Sequence, residues 1–215
     1  MLMTAAEYRE SLRRYQPRVF INGRQVDSVA DEPLLAPGIA AVGVTYDFAC
    51  NPGHAALLTA TQGTSGKQVN RMLHINQSAT DLLHKLEAVR LVCAESGCAQ
   101  RYLSQDGLNA LFQSTQLTDA NHGTDYHPRF LDYLHDVQAR DLTLGVAMTD
   151  AKGDRSLRPG QQENPDTYVH IVERRADGIV ISGTKAIVTG APYMHEFLVM
   201  PCRTHIPEDT DFAVA

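Results

Sequence analysis

The apolar positions change their period near residue 141. Before it they recur at helical spacing. One set is Leu82, Leu83, Leu86, Val89 and Val92; a second is Leu103, Leu108 and Leu111; a third is Phe130, Leu131, Leu134 and Val137. Residues three and four apart share a helix face, so each set predicts a helix packed on a core. After residue 141 short β-branched runs take over. Val169–Val172 and Ile179–Ile181 are joined through Ala176, Asp177 and Gly178, and Phe197–Met200 is a further strand candidate. Helices followed by strands predict an α+β chain, with a helical domain over 1–140 and a β domain from 141.

Polar punctuation refines the boundaries. Thr4 and Glu7 fit a capping box opening a helix to about Tyr15. Asn22-Gly23 predicts a tight hairpin. Pro33 and Pro37 mark an irregular connection. A helix over Gly38–Cys50 should stop at Asn51-Pro52-Gly53, with a short helix over His54–Thr61. Gln62–Lys67 breaks the pattern. It looks superficially like a phosphate loop, but Thr61 stands where glycine is required and Gln68 where Ser or Thr is required. Ser78 and Asp81 should open the next helix. Another is expected over Ala99–Phe112, then a loop over Asn121–Thr124, with Pro128 in the first turn of the last helix. Asp211–Ala215 reads as the start of a strand. The span 141–215 is short for a β domain, so the chain is expected to be truncated or split, holding only the start of that domain.

Composition narrows the function classes. A formal net charge of −6 gives no electrostatic reason to expect nucleic-acid binding. No apolar run approaches the roughly 18–20 residues of a membrane span. The charged, amphipathic N-terminus is unlike a secretion signal, which predicts a cytoplasmic protein. Cys50, Cys93, Cys98 and Cys202 are then expected to be reduced thiols, some of them buried. His122, His127, His135 and His195 lack metal-ligand spacing, and no metal site is expected.

Two polar, glycine-bearing segments stand out: Ala147–Arg155 and Gly183–Gly190. Backbone donors and an arginine there suit an anionic or heteroaromatic ligand. With Met3–Ala5, Asn22-Gly23, Asn70-Arg71, Asp81-Leu82, Asn109-Ala110, Ile171–Glu173, Asp177–Val180 and His195-Glu196, they make the chain resemble, over nearly its whole length, one flavoprotein family. That family contains the 4-hydroxyphenylacetate 3-hydroxylases and the 4-hydroxybutyryl-CoA dehydratases; the dehydratase wording is nearer. The resemblance implies an acyl-CoA-dehydrogenase-like fold, a helical domain followed by a β domain, and homotetramers. It also implies FAD bound by Met148, Thr149, Asp150, Arg155, Val188 and Thr189. His195 is read as structural.

Cys98 and Tyr102 separate the chemistries that the resemblance implies. In the dehydratases two cysteines four residues apart help hold a 4Fe–4S cluster, and a later His and Cys complete it. Here the second position is Tyr102, and a neutral phenol is a poor iron ligand. Cys93 lies about 140° around a helix from Cys98 and is an unconvincing substitute. A 4Fe–4S cluster is therefore not expected. In the hydroxylases the corresponding pair is Arg and Tyr, so Tyr102 fits and Cys98 does not. A substrate-contacting His of that branch falls near Val146.

The resulting expectation is the N-terminal portion of a flavin-dependent aromatic hydroxylase, fed reduced flavin by a flavin reductase, with Tyr102 and Cys98 as catalytic candidates. The alternatives are a 4-hydroxybutyryl-CoA dehydratase or vinylacetyl-CoA isomerase relative acting on an acyl-CoA, and a non-catalytic assembly module.

Overall fold

The computed structural model describes residues 1–215. The chain divides into two compact units, Met1–Leu144 with Pro192–Glu196, and Gly145–Ala191 with Phe197–Ala215.

The first unit is helical. Helix α1 (Ala5–Leu12) starts at the expected capping box, with Thr4 and Glu7 each satisfying the other's backbone N–H. Strands β1 (Phe20–Ile21) and β2 (Arg24–Gln25) pair antiparallel around Asn22-Gly23, both at positive φ. Helix α2 (Ala36–Cys50), with Pro37 in its first turn, is the central element. Its Ile39, Val42 and Tyr46 pack with Tyr8, Leu12, Val29, Tyr193 and Met194. Its last turn adds Ala49 to a second cluster with Leu58, Met72, Ala88, Val92 and Ala99. The expected helix over His54–Thr61 is only α3 (Ala55–Leu58); Thr59–Thr61 is instead strand β3, paired antiparallel with β4 (Gln68–Asn70). Residues 62–67 are the turn of that hairpin, and helices and strands are less segregated along the chain than the periodicity predicted.

Helix α4 (Ala79–Ser96) opens where expected, with Ser78 Oγ accepting from the Asp81 N–H. The expected burial of Leu82, Leu83 and Leu86 is overturned: they are 50%, 60% and 58% exposed, while Ala88 and Val92 are fully buried. Periodicity identifies residues that share a face; it does not say where along the helix a neighbour packs. Here the contact with α2 and α3 is made through the small residues of the later turns. Helix α5 (Tyr102–His122) runs ten residues past Phe112, so the expected loop at Asn121 and His122 is helical. Thr115 and Thr118 return their hydroxyls to the carbonyls of Leu111 and Ser114, which accommodates a polar sequence in a helix. In α6 (Tyr126–Arg140), Phe130, Leu134, Val137 and Gln138 are buried.

Strand β5 (Leu144–Ala147) leads into the second unit, where β6 (His170–Arg175) and β7 (Gly178–Ser182) form the predicted hairpin, with an irregularity between Ile171 and Glu173. Strand β8 (Glu196–Val199) pairs with β5. The expected strand at the C-terminus is absent: Pro207–Phe212 forms 3-10 turns and the remainder is irregular. Asp209 explains this locally, because its carboxylate is held by the Arg158 guanidinium. No helix is long and apolar enough to cross a membrane.

Candidate functional site

The two polar segments singled out in the sequence lie side by side within the second unit. The Ala186 N–H donates to the Thr149 carbonyl at 2.8 Å, and Asp150 and Lys185 form an antiparallel bridge. Lys185 locks the pair. Its ammonium donates to the carbonyls of Met148 (2.9 Å) and Met200 (2.8 Å) and forms an ion pair with Asp150. All three donors of the ammonium have acceptors, and little of either side chain meets solvent.

Gly183 allows the second segment to lie this close. It adopts φ 133°, and a Cβ there would stand 2.4 Å from the Tyr168 carbonyl oxygen and 2.5 Å from the Val169 Cα. Backbone cannot yield as a side-chain tip can, so only glycine fits. Four residues on, Ile187 is left-handed at φ 57° and 79% exposed. A β-branched side chain held in that conformation and presented to solvent is costly, and such outliers gather at ligand sites.

A cleft of about 330 Å³ opens beside the bridge, lined by Thr149, Asp150, Arg155 and also by Lys152, Tyr168, Cys202 and Arg203. Arg203 lies 5.7 Å from the Tyr168 ring centroid and donates to the Tyr168 hydroxyl and the Leu157 carbonyl. Asp150 is matched by Lys185, so Lys152, Arg155 and Arg203 leave the wall positive. Of the predicted flavin-side residues, Thr149, Asp150 and Arg155 come together here. Met148 is exposed, Val188 is half-buried and Thr189 is exposed; none of the three lines this cleft. Sequence reasoning missed Tyr168, Cys202 and Arg203. The last two lie three and four residues beyond the end of β8, where a strand end could have flagged them.

Cys98 and Tyr102 belong to the helical unit. Gly97, left-handed at φ 70°, caps α4, so Cys98 follows a chain reversal and is not on a helix with Cys93. The expectation of partly buried cysteines is overturned, since all four are exposed and unpaired. Tyr102 opens α5, half-buried against the second core cluster, with Lys85 Nζ 6.0 Å from its ring centroid. Between them, Arg101 is fully buried. It donates to the carbonyls of Asp141 and Leu142 and to the Asp141 carboxylate, and stacks 3.9 Å from the Tyr46 ring centroid. His195 is also buried, bonded to Ser11 and to the Thr143 backbone.

Residues 4–215 match the profile of the family described as 4-hydroxyphenylacetate 3-hydroxylase N terminal. The chain is 41% identical, over 216 residues, to 4-hydroxybutyryl-CoA dehydratase/vinylacetyl-CoA-Δ-isomerase of Clostridium aminobutyricum, covering all of this chain and 44% of that protein. Among solved structures, an oxygen-tolerant archaeal 4-hydroxybutyryl-CoA dehydratase from N. maritimus superposes with a TM-score of 0.94 at 39% identity, over 99% of this chain and 42% of that one. The oxygenase component of 4-hydroxyphenylacetate 3-monooxygenase complexed with FAD has the same fold, with a TM-score of 0.81 at 22% identity over 98% of this chain and 43% of that one. The chain thus spans less than half the length of these relatives. With nearly every residue inside the matched span, the chain belongs to the 4-hydroxyphenylacetate 3-hydroxylase N-terminal family.

Proposed function

We propose that this chain is the N-terminal portion of a flavin-dependent aromatic hydroxylase, in which a partner flavin reductase supplies reduced FAD. The observation that carries the reading is the pair of backbone segments locked by Lys185 beside a cleft walled by Lys152, Arg155 and Arg203. This donor set suits FAD. Guanidinium and ammonium groups match its diphosphate, and Thr149 and the segment backbones offer partners for ring heteroatoms. Met148 and Ile187, both solvent-exposed, offer apolar contact to a flat ring, and Val188 and Thr189 follow directly on the same segment. When bound, reduced flavin supplies the electrons for oxygen activation. The protein's task is to exclude water and orient the substrate. Tyr102 would orient a phenolic hydroxyl by hydrogen bonding, with Cys98 beside it in sequence. An acyl-CoA-dehydrogenase-like architecture, a helical domain over 1–140 with the start of a β domain over 141–215, a homo-oligomeric assembly and a cytoplasmic setting belong to the same reading.

A second reading is a dehydratase or isomerase acting on a hydroxyacyl-CoA. It is favoured by the 41% identity to the clostridial enzyme and by Cys98. The donor set disfavours an iron–sulfur cluster. Tyr102 offers a phenol where a second thiolate is needed. One experiment separates the readings. The protein is given FAD, NADH, a flavin reductase and oxygen with a panel of phenols, and separately 4-hydroxybutyryl-CoA under anaerobic conditions. A catechol product supports hydroxylation. Dehydration of the thioester, with iron and acid-labile sulfide in the preparation, supports the second reading.

A further inference from the structure

The helical unit carries two adjoining cavities that share Met1 and Ala139 in their walls, of about 480 and 230 Å³. Neither contains an aspartate or glutamate, although the chain carries a net charge of −6. The larger is walled by Arg14 and Arg140 against Tyr15, Met3 and Leu142. The smaller is walled by Ser65, Lys67, Gln68 and His135. Arg140 is already engaged by Asp136 and Glu196. The side chains of Arg14 and Lys67 have no ion pair or hydrogen bond, so the larger cavity has an unpaired guanidinium in its wall and the smaller an unpaired ammonium.

Lys67 closes the Gln62–Lys67 turn, which has glycine, hydroxyl and lysine residues but lacks phosphate-loop spacing. The structure gives that turn a different frame. Gln62 is fully buried, and its backbone carbonyl accepts from the Ser65 and Gly66 N–H groups. Its side chain accepts from Ile75 N–H and Gln138 Nε2 and donates to Thr64 Oγ1, which is bonded in turn to His135 Nε2 at 3.0 Å. The turn is therefore braced on α6, and Ser65 and Lys67 are held at the cavity wall without needing a ligand to order them.

We propose that this double cavity is a binding site for an organic phosphate, separate from the Thr149–Arg203 cleft, with which it shares no residue. Two separated cations suit a ligand with more than one anionic group. Tyr15, Met3 and Leu142 suit its apolar or aromatic body, and the free Arg14 fork suits a phosphate.

The test is an ADP titration of the protein, followed by calorimetry and by backbone amide shifts. Inorganic phosphate and adenosine serve as further probes. ADP is expected to bind and to move the amides of Ala139 and Leu142, with inorganic phosphate weaker and adenosine silent. The double variant R14Q/K67Q, altered at two exposed side chains, is expected to weaken ADP at least tenfold. Equal ADP affinity in R14Q/K67Q and the parent, or ADP shifts confined to residues 149–155, would overturn the proposal. FAD titration of the same variants reads flavin binding separately.

Discussion

The imidazole Nδ1 of His195 accepts a hydrogen bond from the backbone N–H of Thr143 at 2.9 Å. A backbone amide can only donate, so Nδ1 is unprotonated and the ring hydrogen sits on Nε2. Nε2 donates to Ser11 Oγ at 2.7 Å, and that hydroxyl donates onward to the Tyr8 carbonyl at 2.6 Å. The Ser11–His195 contact therefore has the wrong polarity for a nucleophile and its base. It ties the Pro192–Glu196 segment to α1 and to the residue before β5.

Burial, with Arg101 and Arg140 adding to it, pushes the His195 pKa down to about 4. The unfolded chain takes up this proton near the ordinary value of 6.5, the folded chain only near 4, so stability is fully present above pH 6.5 and is lost as pH falls toward 4. The full loss corresponds to about 3 kcal/mol. Urea midpoints at pH 7 and pH 5 should differ in the parent, and the difference should shrink in His195→Gln. An unchanged pH dependence would show that His195 is not the group responsible.

Asp141 turns the chain at φ 50° directly after α6, and its carboxylate meets the fully buried Arg101 guanidinium. It also accepts from the Met3 N–H at 3.0 Å. Asp141→Asn keeps a residue tolerant of that turn and removes the charge alone. Leaving Arg101 buried without its anion should cost about 3 kcal/mol or more, read by urea unfolding. A loss below about 1 kcal/mol would mean that the carbonyls of Asp141 and Leu142 suffice.

Gly183 and Gly153 offer a paired test of close packing. A Cβ at 183 meets the backbone of Tyr168 and Val169, whereas one at 153 meets the side chains of Gln162 and Thr167. Gly183→Ala should destabilise the protein by about 2–3 kcal/mol, and Gly153→Ala by less, because side-chain ends can move. Thermal unfolding of the two variants checks the order.

Helix α4 separates exposed from buried apolar positions within one element. Leu83→Gln should change stability by no more than about 0.5 kcal/mol, since Leu83 is 60% exposed. Val92→Ala should cost about 2 kcal/mol, since Val92 is fully buried. Chemical denaturation of both variants decides whether the face assigned to the core is the right one.

Much of this architecture was legible where a local signal sets it. Thr4 with Glu7, Ser78 with Asp81, Asn22-Gly23 and Ala176–Gly178 carry their own turn and cap chemistry, and the structure places caps and turns there. The two polar, glycine-bearing segments were singled out by composition and resemblance. Their pairing depends on Lys185 reaching Met148 and Met200, a contact between residues far apart in sequence that no local pattern contains. Leu82, Leu83 and Leu86 misled because the residues that decide their burial lie in other elements. Arg203 and Tyr168 were hidden for the same reason: a strand end and a hairpin start meet only in the folded unit.

In the proposed function, the segments locked by Lys185 form one flavin-binding surface. Its most direct test is the dissociation constant for FAD, measured by fluorescence quenching in the parent, Arg155→Gln and Lys185→Met. Binding at least tenfold weaker, about 1.4 kcal/mol, is expected in each variant, with far-ultraviolet circular dichroism unchanged in Arg155→Gln. Parent-like FAD affinity in both variants would contradict it.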